Sequence, residues 1–311
     1  MIKSFVNKHS FVWPVLGSLL LWVLIGAVSG QFTTGTMLSA AKLATFALLL
    51  GLAQMLVVTS GDGAIDLSQI YTLTLCAYVA CDLSKSSLLL GLVAAVLVGM
   101  LCGLFNGLIN VFLKIPAMIT TLATGYIIFT VILIAAPHMT TLPSSGFVKF
   151  INIDVAGISM LTILSVLIAA CLAVLLYRMP YGRQLHAVGQ NRRASELSGI
   201  SVKKVTIVSF TLAGAICGLA GVLCGAFIGG AFQDMGTTYF LPSIAAVFIG
   251  GTAASGGKSS VLGVCFGALM MSLMTTFLNA ANLAPGLQKL ILGAFLVFLL
   301  VASVSSEAKR K

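Results

Sequence analysis

The chain has 311 residues, 59% hydrophobic and only 8% charged, with a mean hydropathy of +1.13. A soluble domain carries about 25% charged residues, so these figures describe a polytopic membrane protein. At about 20 residues per crossing the length admits at most about a dozen helices and excludes a large soluble domain. The net charge of +10 comes from basic residues set between apolar runs, as orientation in a membrane requires, and is not a nucleic-acid surface.

Ten apolar runs follow in chain order. The first, 11–30, is long for a cleaved leader and is expected to remain as a span. The second, 38–58, is followed by a polar break, SGDGAIDLSQ at 60–69, and a third run at 70–82. That run is short for a full crossing, so part of the break is expected to dip into the membrane. The others are 87–113, 116–136, 158–177, 204–227, 240–254, 260–281 and 286–304. The expectation is an all-α polytopic membrane protein of about ten transmembrane helices, one domain over residues 1–311. Spans two to five and seven to ten are candidates for distant copies of one another, although the residues alone do not establish it.

Charge sets the orientation. With the N-terminus inside, Lys3, Lys8, Lys114, Arg178, Arg183, Arg192, Arg193, Lys203, Lys204, Lys258, Lys309, Arg310 and Lys311 are cytoplasmic, leaving Lys42, Lys85, Lys149 and Lys289 outside or near outer helix ends. Both termini are then cytoplasmic. The seven cysteines lie in or beside apolar runs without C-x-x-C spacing and read as packing residues. No catalytic constellation, metal-ligand set or cofactor motif is apparent. His138 reads as a loop residue and His186 as a surface residue.

Four stretches stand out. In the break, Asp62 and Asp66 are both solvated if it lies at the surface; if it re-enters, Asp66 caps the next helix and faces a pathway. Next, Gly99, Gly103 and Gly107 recur every four residues, a flat stripe for close helix packing, with Asn106 beside it. Beyond Pro116, Thr120, Thr121 and Thr124 bring hydroxyls for interhelical bonding or a pathway. Third, Gly250, Gly251, Gly256 and Gly257 suit a tight reversal, with Gly263 and Gly267 a small-residue face. Walker spacing, G-x-x-x-x-G-K-[ST], is absent, so any ATPase is a separate chain. The outer loop with Phe232, Gln233 and Asp234 reads as solvated.

The fourth is the basic segment Arg178 to Lys204. Within it GQNRRASELSGI predicts a short helix, capped by Asn191 and stopped by Gly199. Arg192 and Glu196, four apart, are expected to pair. A membrane span on either side would make this a compact cytoplasmic knob.

The order G-x-N-x-x-A-x-x-L-S-G-I at 189–200 resembles the coupling-helix segment of ribose-type ABC-importer permeases. The break resembles that family's G-G-I-D-L-S-V-G at Gly63, Ile65, Asp66, Leu67 and Ser68, departing at Ala64, Gln69 and Ile70. Asn106-Gly107 followed by I-P-x-x-I-x-T-L at 115–122, and G-G-T-x-x-x-G-G-x-x-S-x-x-G at 250–263, match as well. The resemblance implies the ribose/vitamin-B12-type importer architecture in a bacterial inner membrane. It also implies a non-enzymatic transport subunit for a monosaccharide or similar small polyol. Its partners would be an ATP-binding subunit, a second permease copy or paralogue, a periplasmic substrate-binding protein and membrane lipid.

Segment 178–204 would then couple to the ATPase through Gly189, Asn191, Arg192, Arg193, Glu196, Ser198 and Gly199. Asp66, Asn106, Thr120, Thr121 and Thr124 become translocation-path candidates. Alternatives keep the architecture and change the cargo to a sugar-like signalling molecule or branched-chain amino acids. A reading from another class is an intramembrane aspartyl hydrolase using Asp62 and Asp66.

Overall fold

A computed structural model of the chain describes residues 11–29 and 33–308. Lys3, Lys8, Lys309, Arg310 and Lys311, used above for orientation, lie outside the described residues. Each of the ten apolar runs forms a helix: α1 Val12–Ser29, α2 Thr34–Thr59, α3 Gln69–Leu83, α4 Leu88–Phe112, α5 Ala117–Ala135, then α7 Met160–Arg178, α10 Val202–Ile228, α11 Phe240–Ile249, α12 Val261–Ala280 and α13 Pro285–Ala308. Between α5 and α7 come the short helix α6 Ser145–Ile151 and a two-residue hairpin, Asp154–Val155 with Ile158–Ser159. Between α7 and α10 lie α8 Pro180–Gln190 and α9 Arg192–Leu197.

Among the described residues six helices are long and apolar enough to cross a bilayer: α2, α4, α5 with the turn that follows it, α7, α10 and α12. Their ends carry local signals. Thr33 and Ser260 cap α2 and α12 by accepting from the N–H groups of Thr36 and Gly263, and Gly229 stops α10 in the left-handed region. By contrast, α3 has 15 residues, and at about 1.5 Å each it falls short of a hydrocarbon core of roughly 30 Å. The break before it fills the difference: apart from Asp62, residues 60–68 are buried or half-buried.

The bundle is built around α2 and α10. In their apolar windows 83% and 67% of residues are buried, against 22% for α4 and 28% for α7, which places the latter pair at the rim. Lipid is as apolar as leucine, so close packing and hydrogen bonds, rather than hydrophobicity, select which helices associate. The glycine stripe of α4 meets a second one on α10. A Cβ at Gly103 would strike the carbonyl of Phe210, and one at Gly214 the carbonyl of Gly99. In the same way Gly263 and Gly267 of α12 lie against Gly250 and Ala246 at the end of α11.

The packing then repeats itself. Helix α10 holds α4 and α3 as α2 holds α12 and α11; α3 touches α4 as α11 touches α12; α5 leans on α3 as α13 leans on α11. Helices α2–α5 and α10–α13 are therefore two similar sets that exchange partners, each set's long helix supporting the other's shorter ones.

Where backbone meets backbone, a side chain has no room. Gly103→Leu is expected to destabilise the protein by about 1–3 kcal/mol or more, read as a lower midpoint in detergent-titration unfolding. Gly293→Ala, at a position with nothing within 4 Å, should leave the midpoint unchanged.

Candidate functional site

The basic segment folds as two helices joined by a bend. Helix α8 begins with Pro180 at its first position, where a missing N–H costs nothing. It anchors to the bundle through Gly182, Leu185 and Val188, all buried. Burial also pushes the Tyr181 phenol up, with Ser209 opposing, so the ring stays neutral. The expectation of a single short helix between two spans is thus corrected: α8 lies between α7 and the knob. Its signal was an apolar residue at 181, 185 and 188, the i, i+4, i+7 pattern, behind a proline.

Helix α9 has the ends foreseen. The Asn191 side chain accepts from Ala194 N–H at 3.0 Å. At the other end Gly199, at φ 81, donates to Glu196 O and Ile200 donates to Ser195 O, closing the helix in a Schellman motif. Ser198 Oγ donates to Ala194 O at 2.9 Å. Arg193 and Glu196 are exposed, and so is Leu197, at 85%, the leucine of the 189–200 motif and an apolar side chain on a polar knob.

The predicted Arg192–Glu196 pair does not form. Arg192 Nη1 instead meets Asp62 Oδ2 at 2.7 Å, with Nη2 donating to Ser60 O at 3.4 Å. An exposed i,i+4 pair is worth only about 0.2–0.5 kcal/mol, and Asp62 with the Ser60 carbonyl offers two acceptors at once.

Behind that pair three segments touch through glycine. Gly257 N–H donates to Thr59 O at 3.0 Å, and Gln190 Nε2 donates to Gly257 O at 3.2 Å. A Cβ at Gly189 would collide with Thr59 O and Gly257, and one at Gly256 with Gly61. Gly256 and Gly257 have φ of 92° and 71°, so glycine serves there for conformation as well as space. His186, expected at the surface, is half-buried and joins the same reversal, with Nε2 3.0 Å from Ser259 Oγ. His138 is exposed in its turn, as expected.

Four residues after Asp62 the break turns inward. Asp66 is only 4% exposed while Asp62 is exposed, which decides against the alternative in which both acids are solvated. Its Oδ1 accepts from Ser68 N–H at 2.8 Å and Ser68 Oγ at 2.6 Å. Asn106 Nδ2 donates to Ser68 Oγ at 2.8 Å, and Thr124 Oγ1 donates to Asn106 Oδ1 at 2.5 Å. Thr121 Oγ1 accepts from Leu67 N–H at 2.9 Å and donates to Ala117 O at 2.8 Å. Turned so that donors face acceptors, the Gln54 amide brackets the backbone of Asp66: it donates to Asp66 O at 3.2 Å and accepts from Asp66 N–H at 3.1 Å.

Four of the five path candidates, Asp66, Asn106, Thr121 and Thr124, thus come together as one buried network joining the break to α4 and α5. Thr120 stays apart, with Ile115 O at 3.5 Å. Asp62 and Asp66 do not share a helix face, and their carboxylates have separate partners, so they form no carboxylate pair. From the other side, the stretch before α11 reaches the same interior. A Cβ at Gly236 would collide with Ile70 O, while Phe232 and Asp234 beside it stay exposed. All seven cysteines are free, and no cluster of metal-ligating side chains occurs among the described residues.

Residues 36–300 match the family described as branched-chain amino acid transport system / permease component. The ribose import permease protein RbsC of Bacillus subtilis (strain 168) is 32% identical over 199 residues, 63% of this chain and 61% of that protein. The autoinducer 2 import system permease protein LsrC of Shigella flexneri is 28% identical over 307 residues, 97% of this chain and 88% of that protein. The D-allose transport system permease protein AlsC of Escherichia coli (strain K12) is 28% identical over 300 residues, 93% of this chain and 91% of that protein. The first match thus spans under two thirds of its relative, the other two most of theirs. No solved structure matches the chain.

The network makes a prediction that separates chemistry from shape. Thr124→Val keeps the volume but leaves the Asn106 carbonyl without its donor, and should destabilise the protein by about 1–3 kcal/mol. Thr124→Ser should stay near wild type in the same unfolding measurement.

Proposed function

The chain belongs to this family of transport permease components, and we propose that it is the membrane-spanning subunit of an ATP-driven importer for a monosaccharide or similar small polyol. On this reading residues 1–311 form one permease domain that crosses the inner membrane ten times with both termini cytoplasmic. ATP is hydrolysed on a separate chain. A second permease copy or paralogue completes the pathway, and a periplasmic binding protein delivers the cargo.

The observation that carries the reading is α9, a six-residue helix fixed at both ends that presents an exposed leucine and arginine. Such a knob suits a groove on a partner, and segment 178–204 would transmit the partner's closure. Gly189, Asn191, Ser198 and Gly199 set its shape, and Arg192, Arg193 and Glu196 its charge. Asp66, Asn106, Thr120, Thr121 and Thr124 would border the cargo's route. Apart from Asp66 these are amide and hydroxyl groups, the chemistry that meets a neutral polyol. RbsC and AlsC are named for ribose and D-allose import, which favours this cargo class.

A second reading keeps everything but the cargo. The match to LsrC, named for autoinducer 2 import, covers nearly the whole chain and favours a sugar-like signalling molecule. The family description names branched-chain amino acids. Uptake by proteoliposomes holding the whole importer, with each class as competitor, decides among them.

Docking is tested directly. Arg193→Glu with Leu197→Glu should reduce recovery of the ATP-binding subunit on the purified permease about tenfold, roughly 1.4 kcal/mol. Undiminished recovery would overturn the assignment of α9.

A further inference from the structure

We propose that the Arg192–Asp62 ion pair is a reversible latch through which movement of α9 reaches the buried Asp66 network. This rests on the reading of α9 as the element that docks on the ATP-binding subunit, and it adds a positioning role for Asp62.

The pair joins the first residue of α9 to the break itself. Asp62 sits at φ 57, in the left-handed region, between Gly61 at φ 91 and Gly63 at φ 60. A non-glycine residue enters that region only at some cost, and such strain gathers where a side chain must be aimed. Here it accompanies a carboxylate set against Arg192. The chain from Asp62 to Asp66 is short, and at its far end Gln54 and Ser68 hold Asp66 on both its backbone and its carboxylate. A displacement of Asp62 is therefore delivered to Asp66 and to Ser68, which bonds directly to Asn106 and, through it, Thr124.

The pair is also suited to opening. Its side chains are 32% and 66% exposed, and ion pairs that wet contribute little to stability, so separating them costs the fold little. Arg192 Nε is buried without a partner in this arrangement, so the guanidinium is not fully satisfied and has something to gain elsewhere. A cleft of about 420 Å3 beside the pair gives it room, with Glu196, Lys114 and Lys203 on its walls. Glu196 is the alternative partner one turn along α9.

The test uses the complete importer, reconstituted in lipid with its ATP-binding subunit and binding protein. Asp62→Asn, which tolerates the left-handed backbone, and Asp62→Arg should both still capture the ATP-binding subunit and melt near wild type. Cargo taken up per ATP hydrolysed should fall about fivefold or more, the usual span of a coupling between sites. Unchanged uptake per ATP in both Asp62 variants overturns the latch while leaving the functional reading intact. A wild-type chain that captures no ATP-binding subunit overturns both.

Discussion

Glycine-to-backbone contact between helices is the constraint on which this protein depends. In a hydrocarbon solvent nothing drives one leucine-covered helix toward another, so close approach has to come from surfaces without side chains. Gly99, Gly103 and Gly107 of α4 against Phe210, Gly214 and Gly218 of α10 provide it. That seam fixes where Asn106 stands, on the turn that carries Gly107.

The polar interior follows from the same economy. A break in a helix leaves N–H and C=O groups that lipid cannot satisfy. Residues 60–68 meet that requirement with side chains: Gln54 of α2 on the backbone of Asp66, Thr121 of α5 on the N–H of Leu67, and Asp66 on the N–H of Ser68, whose hydroxyl Asn106 of α4 holds in turn. The hydroxyls and amides that a sequence reader would assign to a pathway are first of all what allows the chain to be irregular there. Both roles suit the same atoms, since a brace that supports a break is also well placed to sense its movement.

Much of the fold was legible because hydropathy and capping are local. The ten apolar runs, the Asn191 cap, the Gly199 stop and the reversal at 250–257 all depend on residues within a few positions of one another. What escaped depends on distance. Nothing near Arg192 says that its partner is Asp62, 130 positions away, and the i,i+4 spacing points to the nearer Glu196. The glycines of α4 announced a close contact without saying that Gly214 and Gly218 supply the other half. Helix α8 escaped for another reason: its buried face is three apolar positions in a polar stretch, below what a search for membrane runs detects. Leu197 is a letter of the 189–200 motif without a role of its own there, and its 85% exposure supplies one.

The exchange of partners between the two sets of helices bears on how the protein is made. Helices α3 and α4 rest on α10, which begins at Val202, so the first set leaves the ribosome well before its support exists. Until then the glycine faces of α4 lie open to lipid or to a chaperone. Biogenesis must therefore hold an unfinished first half in the bilayer, and the insertion of residues 202–228 is the event that closes it.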